Sequence, residues 1–189
     1  MEEFLIWVDE NDHEIGFGDK TETHINEHLH RAFSLFIFNT ENREMLIQRR
    51  ALGRYHSGGL WSNACCSHPR KGEDLHRSVI RRLREELGID FDNLYSETNV
   101  SKSADSPIVE LGVFRYYKKF DTCAEYEIDH VFLWTIQQKT LELKVSSEEI
   151  AETRWIALPD LKKWLSAKPE DFTAWFPKSF AMVYNTLMQ

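Results

Sequence analysis

The segment Arg31–Phe38 constrains the fold more than any other part of the sequence. Positions 33, 35 and 37 carry Phe, Leu and Ile, which would share one face of a strand. Phe36 and Phe38 would share the opposite face. A strand that is apolar on both faces has to be covered from both sides. The sequence therefore predicts a central strand of a sheet with a packing layer on each side.

Other segments predict the rest of the fold. Strands are expected at Phe4–Val8, Ile15–Phe17, Met45–Gln48, Val109–Phe120, Ile128–Ile136 and Glu152–Ile156. Helices are expected at Glu73–Leu87, Pro159–Leu165 and Phe172–Leu187. We expect less regular structure at Lys20–Leu29, Gly53–Pro69 and Asp90–Pro107. This order predicts an α/β (α+β) fold, with a mixed β-sheet packed between α-helices.

Length and composition limit the function classes. With 189 residues, of which 42% are hydrophobic, we expect a single domain over residues 1–189. The net charge of −8 argues against nucleic-acid or anionic-membrane partners. No apolar run is long enough to span a membrane. Arginines nevertheless cluster, which indicates a site for a small anionic ligand; the clusters are Arg49, Arg50 and Arg54, and Arg77, Arg81, Arg82 and Arg84.

The segment Trp61–Pro69 places Cys66 two residues before His68. The chain has three cysteines, and an odd number in a sequence whose apolar start is too short for a signal peptide predicts reduced thiols and a cytoplasmic protein. We expect Cys65 to be a buried structural residue. Cys66 is either another buried thiol or a functional one, and a functional thiol would need positive charge nearby.

Acidic residues alternate in the segment Glu125–Asp129. Side chains two apart on a strand share a face, so three carboxylates would repel one another unless a cation or solvent relieved the repulsion. Histidines in other segments could complete a set of five or six donors, which would suit a six-coordinate divalent ion. We expect a structural or surface role for His13, His56, His76 and His130, and we place His28 outside the site.

The predicted helix Glu73–Leu87 carries one carboxylate in its apolar arc. Glu86 falls within this arc and Arg82 at its margin. A carboxylate directed at the core is costly unless it is paired or binds a cation. Both an Arg82–Glu86 pair and a functional site are consistent with this pattern.

Together these segments resemble the type I isopentenyl-diphosphate isomerases, and the resemblance extends over nearly the whole chain. The matching segments are His30–Ser34, Gln48–Leu52, Trp61–Pro69, Ile80–Gly88, Glu125–Asp129 and Ala174–Phe176. The resemblance implies a Nudix-type fold with a degenerate Nudix box. Ser67 replaces the first glycine of that box, and Arg82 replaces a catalytic glutamate. These departures argue against nucleotide hydrolysis.

The resemblance also implies cofactors and their ligands. One divalent ion, Mn²⁺, Zn²⁺ or Mg²⁺, would be bound by five side chains, namely His24, His30, His68, Glu125 and Glu127. Glu86 would bind a second ion, Mg²⁺, that also contacts the diphosphate. The expected partner is a small-molecule diphosphate, and the expected oligomeric state is a monomer.

The implied reaction moves a double bond through a carbocation, which requires one proton donor and one proton acceptor. Cys66 and Glu127 would form this catalytic pair, assisted by Tyr116 or by its neighbour Tyr117. The implied substrate-binding residues are Lys20, Arg50, Arg54, Arg82 and Trp175, of which Trp175 would face the cationic centre. Two alternatives are a Nudix hydrolase that uses Glu85 and Glu86 and a metal-stabilised binding module without activity.

Overall fold

The computed structural model describes residues 3–54, 56–94, 106–137 and 141–189. Within these residues the strands are β1 Phe4–Val8, β2 Glu14–Asp19, β3 His30–Asn39, β4 Glu44–Arg50, β5 Trp61–Ser62, β6 Cys65–Ser67, β7 Ile108–Lys119, β8 Ala124–Ile136 and β9 Ile150–Ala157. The helices are α1 Lys20–Ile25, α2 Leu75–Leu87, α3 Phe91–Leu94, α4 Leu158–Ala167 and α5 Phe176–Leu187, with a turn of 3-10 helix at Pro169–Asp171.

Strand β3 lies at the centre of the sheet. Along one edge it pairs in parallel with β8, from His30 opposite Glu127 to Asn39 opposite Ile136. Along its other edge it meets three antiparallel strands in turn, which are β1 at His30, β6 at residues 33–35 and β4 at residues 37–39. β2 pairs with β1, β7 with β8 and β9 with β4. The sheet therefore combines parallel and antiparallel pairs, as predicted.

Two apolar layers cover this sheet from opposite sides. Phe33, Leu35 and Ile37 of β3 pack in one cluster with Leu83 of α2. Phe36 packs with Phe176 and Phe180 of α5 on the other side. Burial of each such side chain contributes about 1.5–3 kcal/mol. The predicted mixed sheet between helices is confirmed, and both faces of the central strand are buried.

Helix α2 is bounded by capping interactions. The carboxylate of Asp74 accepts a hydrogen bond from the N–H of Arg77 at 3.0 Å. At the other end Gly88 has a φ of +67°, and its N–H donates to the carbonyl of Arg84 at 3.1 Å. A Cβ at position 88 would lie 2.7 Å from the carbonyl oxygen of Lys144. Gly88 therefore ends the helix, as the sequence predicts.

Three local predictions need correction. The expected irregular segment Gly53–Pro69 contains β5 and β6, because their backbone groups pair with β4 and β3. The expected polar stretch Lys20–Leu29 contains helix α1, which Asp19 caps. Helix α5 begins at Phe176 rather than at 172, because the N–H of Thr173 donates to the carbonyl of Trp61 at 2.9 Å. A tertiary contact overrides the local pattern at β5, β6 and the start of α5, whereas α1 begins at a local cap.

The predicted polar connection Asp90–Pro107 begins with the short helix α3, and its residues 95–105 lie outside the described residues. Among the helices that are described, none combines the length and the apolar character needed to cross a bilayer.

Candidate active site

Five side chains with metal-binding donor atoms converge at one end of β3. One donor atom from each lies within 4.8 Å of the others, and the residues are His24, His30, His68, Glu125 and Glu127. His68 is partly exposed, and the other four are buried. The resemblance named the same five residues as the ligands of one divalent ion.

Strand register accounts for most of this convergence. His30 begins β3 and lies opposite Glu127 on the parallel strand β8. His68 directly follows β6, and the pairing of β6 with β3 brings it to the cluster. His24 comes from α1, whose N-terminal cap is formed by Asp19 accepting from backbone N–H groups. Residues far apart in the chain are therefore placed together by backbone pairing.

Two histidines are oriented by hydrogen bonds to main-chain carbonyls. Nδ1 of His24 donates to the carbonyl of Lys20 at 2.5 Å, and Nδ1 of His30 donates to the carbonyl of His28 at 2.8 Å. Each bond leaves Nε2 as the atom that faces the cluster. Nε2 of His30 is buried without a hydrogen bond, although Oε1 of Glu127 lies 3.4 Å away. An unpartnered buried nitrogen of this kind fits a metal ligand.

Most protonation states in the cluster fit a divalent ion. His30 is the exception, because burial opposes its charge but the contact with Glu127 raises its pKa. Burial lowers the pKa of His24, and burial together with His30 holds the pKa of His68 well below its usual range. Burial opposes the charge on Glu127, but contacts with Glu125, His30 and Tyr116 lower its pKa to about 2. Neutral imidazoles and ionised carboxylates are the forms that coordinate metals.

Cys66 and Glu127 reach the same cavity from opposite edges of β3. Cys66 lies on β6 opposite Ser34, whereas Glu127 lies on β8 opposite His30. Residues directly opposite on paired strands share a face of the sheet. Ala32 lies between His30 and Ser34 on this face and lines the cavity with both catalytic candidates. The small side chain of Ala32 leaves room there.

The Cys66 thiol is a neutral group in the free protein. Burial raises its pKa to about 12, and Arg50 acts in the opposite direction. Nη1 of Arg50 lies 3.8 Å from Sγ, and the hydroxyl of Ser62 lies 3.9 Å from it. The positive charge that a functional thiol requires is therefore present. Cys65 is fully buried, as expected for a structural residue.

Tyr116, and not Tyr117, faces the cluster. Its hydroxyl donates to Oε2 of Glu127 at 2.6 Å and lies 3.3 Å from Oε2 of Glu125. Burial and the charge of Glu127 hold the pKa of Tyr116 well above its usual range. Tyr117 is exposed and donates to Glu27 at 2.7 Å. The alternation along β7 decides which tyrosine points inward.

Asp129 continues the acidic face into the cavity. Its Oδ2 accepts a hydrogen bond from the hydroxyl of Ser34 at 2.8 Å, and its Oδ1 is buried without a partner. Burial and the charge of Glu127 hold its pKa well above the usual range. Asp129 lines the cavity but lies outside the five-donor set.

The cationic side chains that the resemblance assigned to substrate binding line the same cavity, as does the assigned aromatic residue; they are Lys20, Arg50, Arg54, Arg82 and Trp175. The guanidinium of Arg50 lies 5.4 Å from the ring centre of Trp175. Nε1 of Trp175 donates to Asn63 at 3.1 Å, which fixes the ring. Burial lowers the pKa of Lys20. The four cationic side chains therefore share one cavity with the acidic cluster.

Glu86 lies behind Arg82 and is absent from the residues that line the cavity. Its Oε1 accepts from Nε and Nη2 of Arg82 at 2.9 and 2.5 Å, and its Oε2 accepts from Gln48 at 3.3 Å. The pairing that the sequence allowed is therefore present. Glu149 also contacts Arg82, with 3.3 Å between charged atoms, and lies 2.8 Å from Nη1 of Arg54.

Sequence reasoning missed His56, which was assigned a structural or surface role. The residue is buried, contacts Glu125 and lines the cavity. Its loop has no helical or strand periodicity that could have located it; the only local signal is its position between Arg54 and the pair Gly58-Gly59.

The remaining histidines lie where they were expected. His13 pairs with Asp9 on the surface, His76 contacts Ser106, and His130 contacts Asp12 and Glu110. His28 stacks on Trp7 with 4.0 Å between ring centres.

The fold and the modified box define a NUDIX-domain protein. The model of the NUDIX domain matches residues 28–176. A MutT protein from Methanosarcina mazei superposes with a TM-score of 0.58 at 20% identity, covering 85% of this chain and 96% of its own. A crystal structure from Deinococcus radiodurans gives 0.65 at 18% identity, with 87% and 90% covered. These likenesses show the fold.

Curated relatives show to which family of NUDIX-domain proteins the chain belongs. The isopentenyl-diphosphate Delta-isomerase of Photobacterium profundum is 38% identical over 190 residues, covering 99% of this chain and 97% of the relative. Isopentenyl-diphosphate Delta-isomerase 2 of Aromatoleum aromaticum is 40% identical over 176 residues, with 93% and 83% covered. The chain belongs to the isopentenyl-diphosphate Delta-isomerase family.

Proposed function

We propose that this protein converts isopentenyl diphosphate to dimethylallyl diphosphate. The observation that carries this proposal is the approach of Cys66 and Glu127 to one cavity from opposite edges of β3. Two proton-exchanging groups so placed can serve opposite faces of one alkene. The names of the curated relatives support the same reaction.

The reaction adds one proton at C4 and removes one from C2, with a tertiary cation at C3 between the two steps. The atoms and the charge balance without any oxidant or reductant. Cys66 and Glu127 divide the two proton transfers. Tyr116 holds Oε2 of Glu127 by its hydrogen bond and so fixes the direction of the carboxylate. In the free protein the thiol of this pair holds a proton and the carboxylate does not.

Aromatic rings form the wall of the cavity where the cation would lie. Trp175 and Tyr116 both line it, with 6.3 Å between their ring centres. A cation over such a ring is stabilised by about 0.5–2 kcal/mol, and more so where water is excluded. The two rings therefore stabilise the intermediate and keep water away from it.

The cationic side chains of the cavity bind the diphosphate. Lys20, Arg50, Arg54 and Arg82 line the cavity and supply charge-assisted hydrogen bonds to phosphate oxygens. This places the alkene between the thiol and the carboxylate. Binding of the anionic end thus positions the reacting end, which raises the rate by orientation.

The five-donor cluster would hold one divalent ion, Mn²⁺, Zn²⁺ or Mg²⁺, through His24, His30, His68, Glu125 and Glu127. When bound, such an ion offsets the repulsion between the two carboxylates and tunes the proton affinity of Glu127. The chain itself contributes the orientation of the imidazoles and the burial of the donors.

The finer part of the proposal is that Glu86 would hold a second ion, Mg²⁺, which would supply positive charge for the diphosphate. Arg82 occupies one oxygen of Glu86 and stands between it and the cavity. Glu86 therefore acts on the substrate either through Arg82 or after Arg82 turns toward the phosphate. No proton transfer depends on this choice.

The alternative of a nucleoside-diphosphate hydrolase is less well supported. Arg82 stands in the position of a catalytic glutamate of the Nudix box. Glu85 contacts Arg81 and Arg82, and Glu86 contacts Arg82, so both carboxylates are neutralised. In a hydrolase of this kind, Cys66 would also have no catalytic role.

Proton exchange tests the proposal directly. Purified protein incubated in D₂O with isopentenyl diphosphate should yield dimethylallyl diphosphate that carries deuterium at C4, followed by NMR. A parallel incubation with nucleoside diphosphate derivatives should release no phosphate. Hydrolysis of the nucleotides without isomerisation would overturn the proposal in favour of the hydrolase.

We further propose that residues 1–189 form one domain that acts as a cytoplasmic monomer without a nucleic-acid partner. The described strands belong to one sheet, which supports a single domain. Cys65, Cys66 and Cys123 are free thiols, as a reducing compartment requires. Light scattering of the purified protein tests the oligomeric state.

A further inference from the structure

We propose that His56 is a positioning residue, which holds the carboxylate of Glu125 in the orientation that the metal cluster requires. The inference rests on the ligand set of the proposed function, and it adds a residue that the sequence placed among structural histidines. Three observations support it: the contact with Glu125, the geometry of the loop and the packing of the imidazole ring.

His56 contacts Glu125 directly. Nε2 of His56 pairs with Oε1 of Glu125, and both side chains are almost completely buried, with 7% and 3% of their residue surface exposed. Glu125 also has contacts with His24 and Tyr116. Nε2 of His24 lies 3.6 Å from Oε1, and the hydroxyl of Tyr116 lies 3.3 Å from Oε2. His56 therefore restrains this carboxylate directly, from inside the protein.

The imidazole of His56 acts as a donor and not as a sixth ligand. A carboxylate that binds a metal ion only accepts, so in the proposed metal-bound cluster Nε2 of His56 would carry the hydrogen in this contact. Nδ1 lies 3.1 Å from the hydroxyl of Ser57, which can donate to it. Neither ring nitrogen then has a lone pair directed at the cluster, and the five-donor set does not include His56.

The loop that carries His56 adopts a conformation that most residues avoid. Ser57 has a φ of +53° and Gly59 a φ of +80°. A Cβ at Gly58 would lie 2.7 Å from the carbonyl oxygen of Leu52. The N–H of Gly59 donates to the carbonyl of Arg50 at 3.0 Å. A non-glycine residue in the left-handed region is strained, so the surrounding contacts hold this loop in place.

Aromatic contacts fix the plane of the imidazole. The ring stacks on Phe120 with 4.7 Å between centres and an interplanar angle of 23°. It meets Trp175 edge to face at 6.2 Å and 82°. His56 therefore lies between a proposed metal ligand and the aromatic wall, with its rotation restricted from two sides.

Partners of this kind determine metal affinity without touching the metal. Loss of an outer hydrogen-bond partner typically weakens metal binding about 10–100-fold. The experiment measures Mn²⁺ affinity of the substrate-free protein by following the EPR signal of free Mn²⁺. His56→Phe keeps the stacking but removes the donor, and it should weaken binding by about 10–100-fold. His56→Gln restores a donor near the Nε2 position and should bind close to wild type.

His76→Phe is the matched control, because His76 contacts Ser106 away from the cluster. It should bind Mn²⁺ like wild type, and melting temperatures of all variants separate weak binding from unfolding. Wild-type affinity in His56→Phe, or equal loss in His56→Phe and His56→Gln, would overturn the role. If the wild-type protein bound no Mn²⁺, the proposed set of metal ligands would be wrong as well. None of these measurements depends on isomerase activity. A failure of the His56 role can therefore be told apart from a failure of the proposed reaction.

Discussion

His30 and Glu127 lie directly opposite each other on the parallel strands β3 and β8, with 3.4 Å between Nε2 and Oε1. Because strand pairing is periodic, this one register also places Asp129 opposite Ala32 on the same face. The acidic face of β8 is thereby aligned with the histidine at the start of the central strand. The site depends on a register that any shift by one residue would destroy.

The metal cluster predicts different effects for neighbouring histidines. His68→Ala removes one of five donors and should lower bound divalent metal well below one ion per chain after dialysis. His28→Ala should keep its metal, because His28 stacks on Trp7 and offers only its carbonyl to His30. Elemental analysis of both variants checks this. Equal metal content in the wild type and in His68→Ala would remove His68 from the ligand set.

The two adjacent cysteines should differ in function. Cys66→Ala removes a proposed proton-transfer group and should lower kcat by about 10²–10⁴-fold, the usual contribution of such a group. Cys65→Ala should keep most activity, because Cys65 is buried opposite Leu35 on the other face of β6. Steady-state assays with isopentenyl diphosphate compare them. Similar losses in both variants would show that the wrong thiol has been chosen.

Much of the fold follows from the sequence because periodicity is a local signal. The alternation at 33–38 predicts the central strand, and the repeat from Leu75 to Leu87 predicts α2. The short strand β6 has no such signal, since only its pairing with β3 makes it a strand. Helix α1 has six residues, too few for a helical repeat to appear, and its cap and packing stabilise it.

The site also has parts that the sequence predicts and parts that it does not. Resemblance named the five residues that the structure brings together, and it left Tyr116 and Tyr117 open until the pairing of β7 with β8 showed which one faces Glu127. His56 could not be located, because its direction depends on the left-handed conformation of Ser57 and on Phe120 from another segment. Loop conformation and long-range packing are not encoded by spacing.

We expect the substitution Asp129→Asn to increase the stability of the protein by an amount that depends on pH. The pKa of Asp129 in the folded protein is raised by burial, so the carboxyl favours folding below the unfolded value of 3.8 and loses that advantage as the pH rises through the folded value. Asp129→Asn keeps an acceptor for Ser34 and carries no charge. In the metal-free protein it should be more stable at neutral pH by about 1–3 kcal/mol, the cost of a buried unsatisfied group.

Thermal unfolding at several pH values measures this effect. The difference between Asp129→Asn and wild type should grow as the pH rises above 3.8 and should vanish below it. Asp121→Asn serves as the control, because Asp121 is exposed in the loop before β8 and should give no comparable gain. A difference that does not change with pH would show that the carboxyl group of Asp129 is not the cause.

Variants of Arg82 and Glu86 test whether the two residues serve substrate binding or only the stability of the core. Arg82 lines the cavity and is proposed to contact the diphosphate, and a hydrogen bond to a charged group contributes about 1.5–3 kcal/mol. Arg82→Ala should therefore raise KM by about one to two decades, since 1.4 kcal/mol is a factor of ten. Glu86→Gln should raise the Mg²⁺ concentration needed for activity and leave the histidine-rich cluster loaded. Steady-state kinetics with titrated Mg²⁺ measures both effects.

The competing explanation is a purely structural pair, because Arg82 donates twice to Glu86 at the edge of the core. In that case both variants would lower the melting temperature but keep the KM and the Mg²⁺ dependence of wild type. Arg84→Ala is the matched control on the same helix, since Arg84 is exposed and pairs with Asp90 away from the cavity. It should leave KM unchanged. An unchanged KM in Arg82→Ala would therefore remove Arg82 from the diphosphate site, whatever the stability of the variant.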